Sequence, residues 1–221
     1  MKLIFNKKSY LKLKYFTRNV NTEISGLGES VLVTPSIIRV DNIEIFPQTC
    51  SYASTQLDED MLAKFLHKRT VNNEDVSKYN IWWHSHNDFS TFWSGIDENT
   101  IETTTSNPYL ISIVVNKKLD FLARIDIFKP IRLTFSLDVL SPLKIRNNQK
   151  IKEYCLRRIK KHVKRPKIFI PQNIKKLSRY PIFKDFLEEN NILQLKPYSK
   201  STLDEIDRFL ESVGIYYKHT L

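Results

Sequence analysis

Two histidines stand one residue apart in the stretch WWHSHNDFSTFWSGID, with Ser94 eight residues and Asp97 eleven residues after His86. The chain holds five histidines in 221 residues, so two on alternate positions of one segment ask for a chemical reason. On an extended strand, residues i and i+2 project to the same face. His84 and His86 can therefore offer two imidazole nitrogens to one cation about 2 Å from each. Asp97 falls in the first turn of the helix expected next. There a carboxylate suits the positive helix end and can swing back as a third, anionic donor. Two neutral nitrogens and one oxygen form a donor set that suits Zn²⁺.

Three protein ligands on a tetrahedral ion leave one position for water, which marks a catalytic zinc rather than a structural one. Zinc lowers the pKa of that water to about 7, which yields a nucleophile at neutral pH. Hydrolysis then needs a carboxylate to move the proton and a donor facing the developing oxyanion. Ser94 stands where it can be that donor. Each residue also has an ordinary reading. The histidines can be surface or core residues of a strand, Ser-x-x-Asp is itself a helix N-cap pattern, and Asp97 can simply complement the helix dipole.

The string His84-Ser85-His86, seven residues, Ser94, two residues and Asp97 resembles the JAMM/MPN+ (JAB-domain) metalloprotease motif, H-x-H-x7-S-x2-D, at every specified position. The resemblance covers roughly residues 1–140 and leans toward bacterial and phage members. It implies a cytidine-deaminase-like α/β (α+β) core, a mixed sheet flanked by helices. It also implies one zinc per chain on His84, His86 and Asp97, with Ser94 stabilising the tetrahedral intermediate. In that family an upstream glutamate followed by glycines acts as general acid/base, and Glu23 in TEISGLG is similar to it. Glu29 and Glu44 compete for that role but lack the glycine-rich stretch after them. Many members carry proline directly after the second histidine, where this chain has Asn87.

The function expected from the resemblance is zinc-dependent hydrolysis of peptide or isopeptide bonds, including removal of ubiquitin-like or other protein conjugates. Two alternatives stand beside it: an inactive MPN-type scaffold, and a RadC-like protein with the same ligand set. Phe92 and Trp93, next to the motif, are the candidates for substrate contact.

The elements that must position these residues follow from the pattern. Residues 2–6 read as a strand. Residues 9–19 suit strand or helix by periodicity, and the resemblance favours a helix. NTEISGLGES reads as a turn feeding a strand, and VLVTP and SIIRVDNIEIF as antiparallel strands. Residues 57–69 carry acids first and bases last, with Leu57, Met61, Leu62, Phe65 and Leu66 between, as a helix should. YNIWWHSH reads as a central strand, and Ser94 caps a helix from Gly95 to about Thr105. YLISIVVN and DFLARIDIF form a hairpin, and IRLTFSLDVL is one further strand. Near the end, Thr202 and Glu205 form a capping box before a helix that Gly214 stops.

Charge divides the chain. Residues 1–140 hold 16 Lys+Arg and 16 Asp+Glu, whereas residues 141–221 hold 19 and 8, the whole excess of +11. The expected organisation is a metalloprotease-like domain at 1–140 and a basic, mainly helical extension at 141–221. Between Lys144 and Lys184 there are 15 Lys+Arg and one acid, Glu153. That composition suits nucleic acid or an acidic protein partner, and equally a solvated helical cap. Cys50 and Cys155 make no disulfide framework, and His67 and His162, beside lysines on helices, read as solvated. The start of the chain lacks the features of a secretory signal, and no apolar run is long enough to span a membrane. The expected location is cytoplasmic.

Overall fold

The computed structural model describes residues 1–51, 54–104, 107–142 and 145–164. The chain divides into two units, Met1–Arg165 and Pro166–Leu221, and every element below belongs to the first. The helix expected near residues 202–213, and residues 165–184 of the basic stretch, lie outside the described residues.

Four helices start in the same way. Asn6 opens α1 (Lys7–Arg18), Asp58 opens α2 (Glu59–Val71), Ser94 opens α3 (Gly95–Thr103) and Asn148 opens α4 (Gln149–His162). In each case the side-chain oxygen accepts the backbone N–H three residues on, filling one of the donors a helix start leaves open.

The strands are β1 (Lys2–Phe5), β2 (Ser25–Thr34), β3 (Ile37–Ile45), β4 (Gln48–Cys50), β5 (Thr55–Leu57), β6 (Ile81–Ser85), β7 (Tyr109–Val115), β8 (Phe121–Ile127), β9 (Leu133–Ser136), β10 (Asp138–Leu140) and β11 (Val163–Lys164). Eight of them form one mixed sheet in the order β10-β1-β3-β2-β6-β7-β8-β9, and β11-β4-β5 form a second. β6 runs parallel to β7 and antiparallel to β2. With neighbours on both edges it is buried at all five positions, as its aromatic run suggested.

The alternation of β6 to β8 sorts the molecule into two faces. Ile81, Trp83, Ile111, Ile113, Ala123 and Ile125 point into the main core, where Leu11, Leu13 and Phe16 of α1 and Cys155 of α4 meet them. Phe16 stacks on Trp83 with ring centroids 6.2 Å apart. The opposite face carries Trp82, His84 and Leu110, and α3 covers it by burying Ile101 against Trp82 and Leu110. One face packs the core; the other holds His84 beneath α3.

Three expectations change. IRLTFSLDVL is two strands, because the chain leaves β8 at β9 and joins β1 at β10, on the opposite edge of the sheet, with buried Leu137 between. The glycine stretch is strand and not turn, since Gly26 and Gly28 pair with both β3 and β6. Residues 57–69 divide between β5 and α2, and α2 has no buried residue; Phe65 alone makes aromatic contacts, with Phe46 and Tyr79. The first unit runs past the charge break near residue 141, to Arg165. α4 belongs to that unit, since Tyr154 donates to Glu44 at 2.8 Å and Arg158 to the Ile45 carbonyl at 2.7 Å.

Candidate metal centre

His84 sits near the end of β6, His86 just beyond it, and Asp97 in the first turn of α3. All three are buried. Their ligand atoms lie within 4.8 Å of one another. His84 Nε2 is 3.2 Å from Asp97 Oδ1, and His86 Nε2 is 3.9 Å from Asp97 Oδ2. Donors held about 2 Å from a tetrahedral ion stand roughly 3.3 Å apart, so the His84–Asp97 pair already stands at ligand spacing and the others would draw in around one shared cation. A second observation supports the fit: His84 Nε2, the nitrogen facing Asp97, is buried without a hydrogen-bond partner, which is costly for a polar atom unless a cation takes its lone pair.

The rings are held in place. Trp82 stacks on His84 at 4.7 Å between centroids, and Phe92 meets the His86 ring edge-on at 4.6 Å. His86 Nδ1 lies 2.9 Å from the Ser90 carbonyl. Only a protonated Nδ1 can donate there, which leaves Nε2 as the lone pair facing Asp97. Burial lowers the pKa of His84 despite Asp97 beside it, so this imidazole stays neutral, its metal-binding form. Burial also lowers that of His86, but Asp97 and the Ser90 carbonyl outweigh it and the net shift is upward. Burial alone would raise Asp97; the two imidazoles and the Ser94 hydroxyl reverse this and hold the carboxyl well below the usual carboxylate range.

Ser94 caps α3 and also fixes Asp97. Its backbone N–H and its hydroxyl both donate to Asp97 Oδ2 at 2.7 Å. Oδ2 is thereby held by the cap while Oδ1 faces His84.

Glu23 lies just before β2, is buried, and lines the same cleft of about 270 Å³ as His84, His86, Ser94, Asp97 and Phe92. Its charge raises the pKa of His86. Ser85, the middle residue of the histidine motif, ties the segment carrying Glu23 to the end of β6: its hydroxyl accepts the Ile24 N–H at 3.0 Å and its backbone N–H donates to the Ile24 carbonyl at 2.8 Å. Gln48 anchors the other side, accepting from Ser25 N–H at 2.9 Å and donating to the Ser25 carbonyl at 2.8 Å.

The competing glutamates are committed elsewhere. Glu44 pairs with Lys12 and accepts from Tyr154, and Glu29 accepts from Asn42 and lies near Lys78. Trp93 does not line the cleft as Phe92 does; its face receives the guanidinium of Arg124 at 4.8 Å. Asn87 has φ 46°, a value closed to proline. His162 is buried and not solvated, and burial pushes its pKa down to about 4.

Ser85, Gln48 and Arg124 escape a reading of the sequence alone. Only the H-x-H motif, with Ser85 between the ligands, offered any local signal.

No protein-family model and no curated protein matches the sequence. Among solved structures, the chain is similar to the solution structure of protein DSY2949 from Desulfitobacterium hafniense, at 12% identity and a TM-score of 0.45, covering 65% of this chain and 95% of that one.

Proposed function

We propose that the chain is a zinc-dependent hydrolase of the JAMM type, with a JAMM/MPN core in residues 1–140, acting on peptide or isopeptide bonds in the cytoplasm. The observation that carries this reading is the convergence of His84, His86 and Asp97 from two elements into one buried group, with Glu23 and Ser94 on the same cleft. His84, His86 and Asp97 would hold the ion. When bound, zinc supplies a Lewis acid that makes water a nucleophile at neutral pH and polarises a carbonyl.

The remaining work falls to the chain. Glu23 takes the proton of the attacking water and returns it to the leaving amine, so that the amine departs neutral. Ser94 keeps Asp97 oriented, and its hydroxyl reaches a developing oxyanion only by releasing Asp97 Oδ2. Trp82, Phe89, Phe92 and Ile96 wall the cleft with apolar surface. Partners of the basic stretch at 144–184 would be nucleic acid or an acidic protein.

Cleavage of a ubiquitin-like fusion and of a peptide library, with and without chelator, tests the reading. Glu23→Gln is expected to keep one zinc per chain and lose cleavage at least about a hundredfold. Cleavage that persists in a verifiably metal-free chain contradicts the mechanism. A chain that binds no metal supports the scaffold instead.

A further inference from the structure

Asp97 is the ligand not carried by the histidine segment, so its position depends on how α3 is fastened to the sheet. The apolar fastening is Ile101 on Trp82 and Leu110. Such contact sets the distance between layers but fixes rotation poorly, because it is non-directional. A directional fastening comes from β8. Arg124 Nη1 and Nη2 donate to Glu98 Oε1 and Oε2, both at 2.7 Å. Its Nε donates to Asp126 Oδ2 at 2.8 Å, and Thr134 of β9 donates to the other Asp126 oxygen at 2.7 Å. The guanidinium lies over the Trp93 ring at 4.8 Å.

Trp93 precedes Ser94 and Glu98 follows Asp97, so one guanidinium holds both flanks of the Ser94–Asp97 turn. Asp126 is fully buried and Arg124 nearly so, which anchors the base of the clamp in the sheet. A two-bond fork fixes orientation as well as distance, and lysine reproduces neither the fork nor the ring stacking.

We propose that Arg124 is a positioning residue for the metal centre: through Glu98 and Trp93 it sets the direction of the Asp97 carboxylate, and with it the tightness of the ligand set. This rests on the metal-site reading above. Glu98 itself need not touch the ion; it transmits the hold.

Competition for zinc against a chromophoric chelator tests it in the full chain. The variants are Arg124→Lys, which keeps a cation beside buried Asp126, Glu98→Gln, which leaves buried Arg124 still paired with Asp126, and the double. Arg124→Lys is expected to weaken zinc about tenfold, Glu98→Gln by several-fold because it spares the Trp93 stacking, and the double no further than Arg124→Lys, since the Glu98 fork is already lost there. The metal-free unfolding midpoint, measured alongside, is expected to shift less in Glu98→Gln than in Arg124→Lys, while zinc is weakened in both. Zinc affinity within twofold of wild type in both singles overturns the proposal, as does additive loss in the double. A wild-type chain that takes up no zinc overturns the metal site, and the clamp's role with it.

Discussion

Ser94 and Asp97 satisfy each other in both directions: the Ser94 hydroxyl donates to Asp97 Oδ2 at 2.7 Å, and the Asp97 N–H donates back to Ser94 Oγ at 3.2 Å. The cap that starts α3 is therefore also the device that orients the Asp97 carboxylate toward His84.

Ser94→Ala removes both halves. The expected cost is about 1 kcal/mol of stability from the lost cap, together with weaker zinc binding, and Ser94→Thr should stay close to wild type. Denaturant unfolding of the metal-free chain and a chelator titration measure the two separately. Loss of cleavage with zinc affinity unchanged would instead assign the hydroxyl to the oxyanion alone.

Gly26 tests why the glycines follow Glu23. A Cβ there would run into the Glu44 carbonyl oxygen and stand 2.9 Å from Trp83 Nε1. Gly26→Ala is expected to destabilise by about 2 kcal/mol, read as a lower urea midpoint with unchanged slope. A midpoint equal to wild type would show that β2 and β3 can part without cost.

His162 gives a pH dependence whose sign can be worked out. Burial lowers its folded pKa to about 4 from the ordinary 6.5. Between these values the unfolded chain takes up a proton that the folded chain does not, so stability falls as pH drops from 6.5 toward 4. The urea midpoint at pH 5 should lie below that at pH 7, and His162→Leu should shrink the gap. An undiminished gap in the variant places the titration elsewhere.

What could be read from sequence was what depends on local geometry. His84 and His86 were legible because strand alternation puts them on one face, and Ser94 and Asp97 because a cap and its first turn are three residues apart. The resemblance to the JAMM motif singled out Glu23, and it does line the cleft. Arg124 was invisible: in DFLARIDIF it looks like one polar position of an alternating strand, and only the register of β8 beneath α3 gives it Glu98 and Trp93. The division of IRLTFSLDVL at Leu137 was hidden for a related reason, since its halves pair with strands far apart in the chain. His162 misled because a basic last helical turn is usually solvated, whereas here α4 lies against the core.

The most direct test of one ion shared by His84, His86 and Asp97 is zinc K-edge X-ray absorption on the zinc-loaded, dialysed full chain. One zinc per chain with two imidazole nitrogens and oxygen neighbours is expected, and His84→Ala and His86→Ala should each retain none. Zinc retained by both variants, or a wild-type spectrum without imidazole scattering, would mean that these residues hold no common ion.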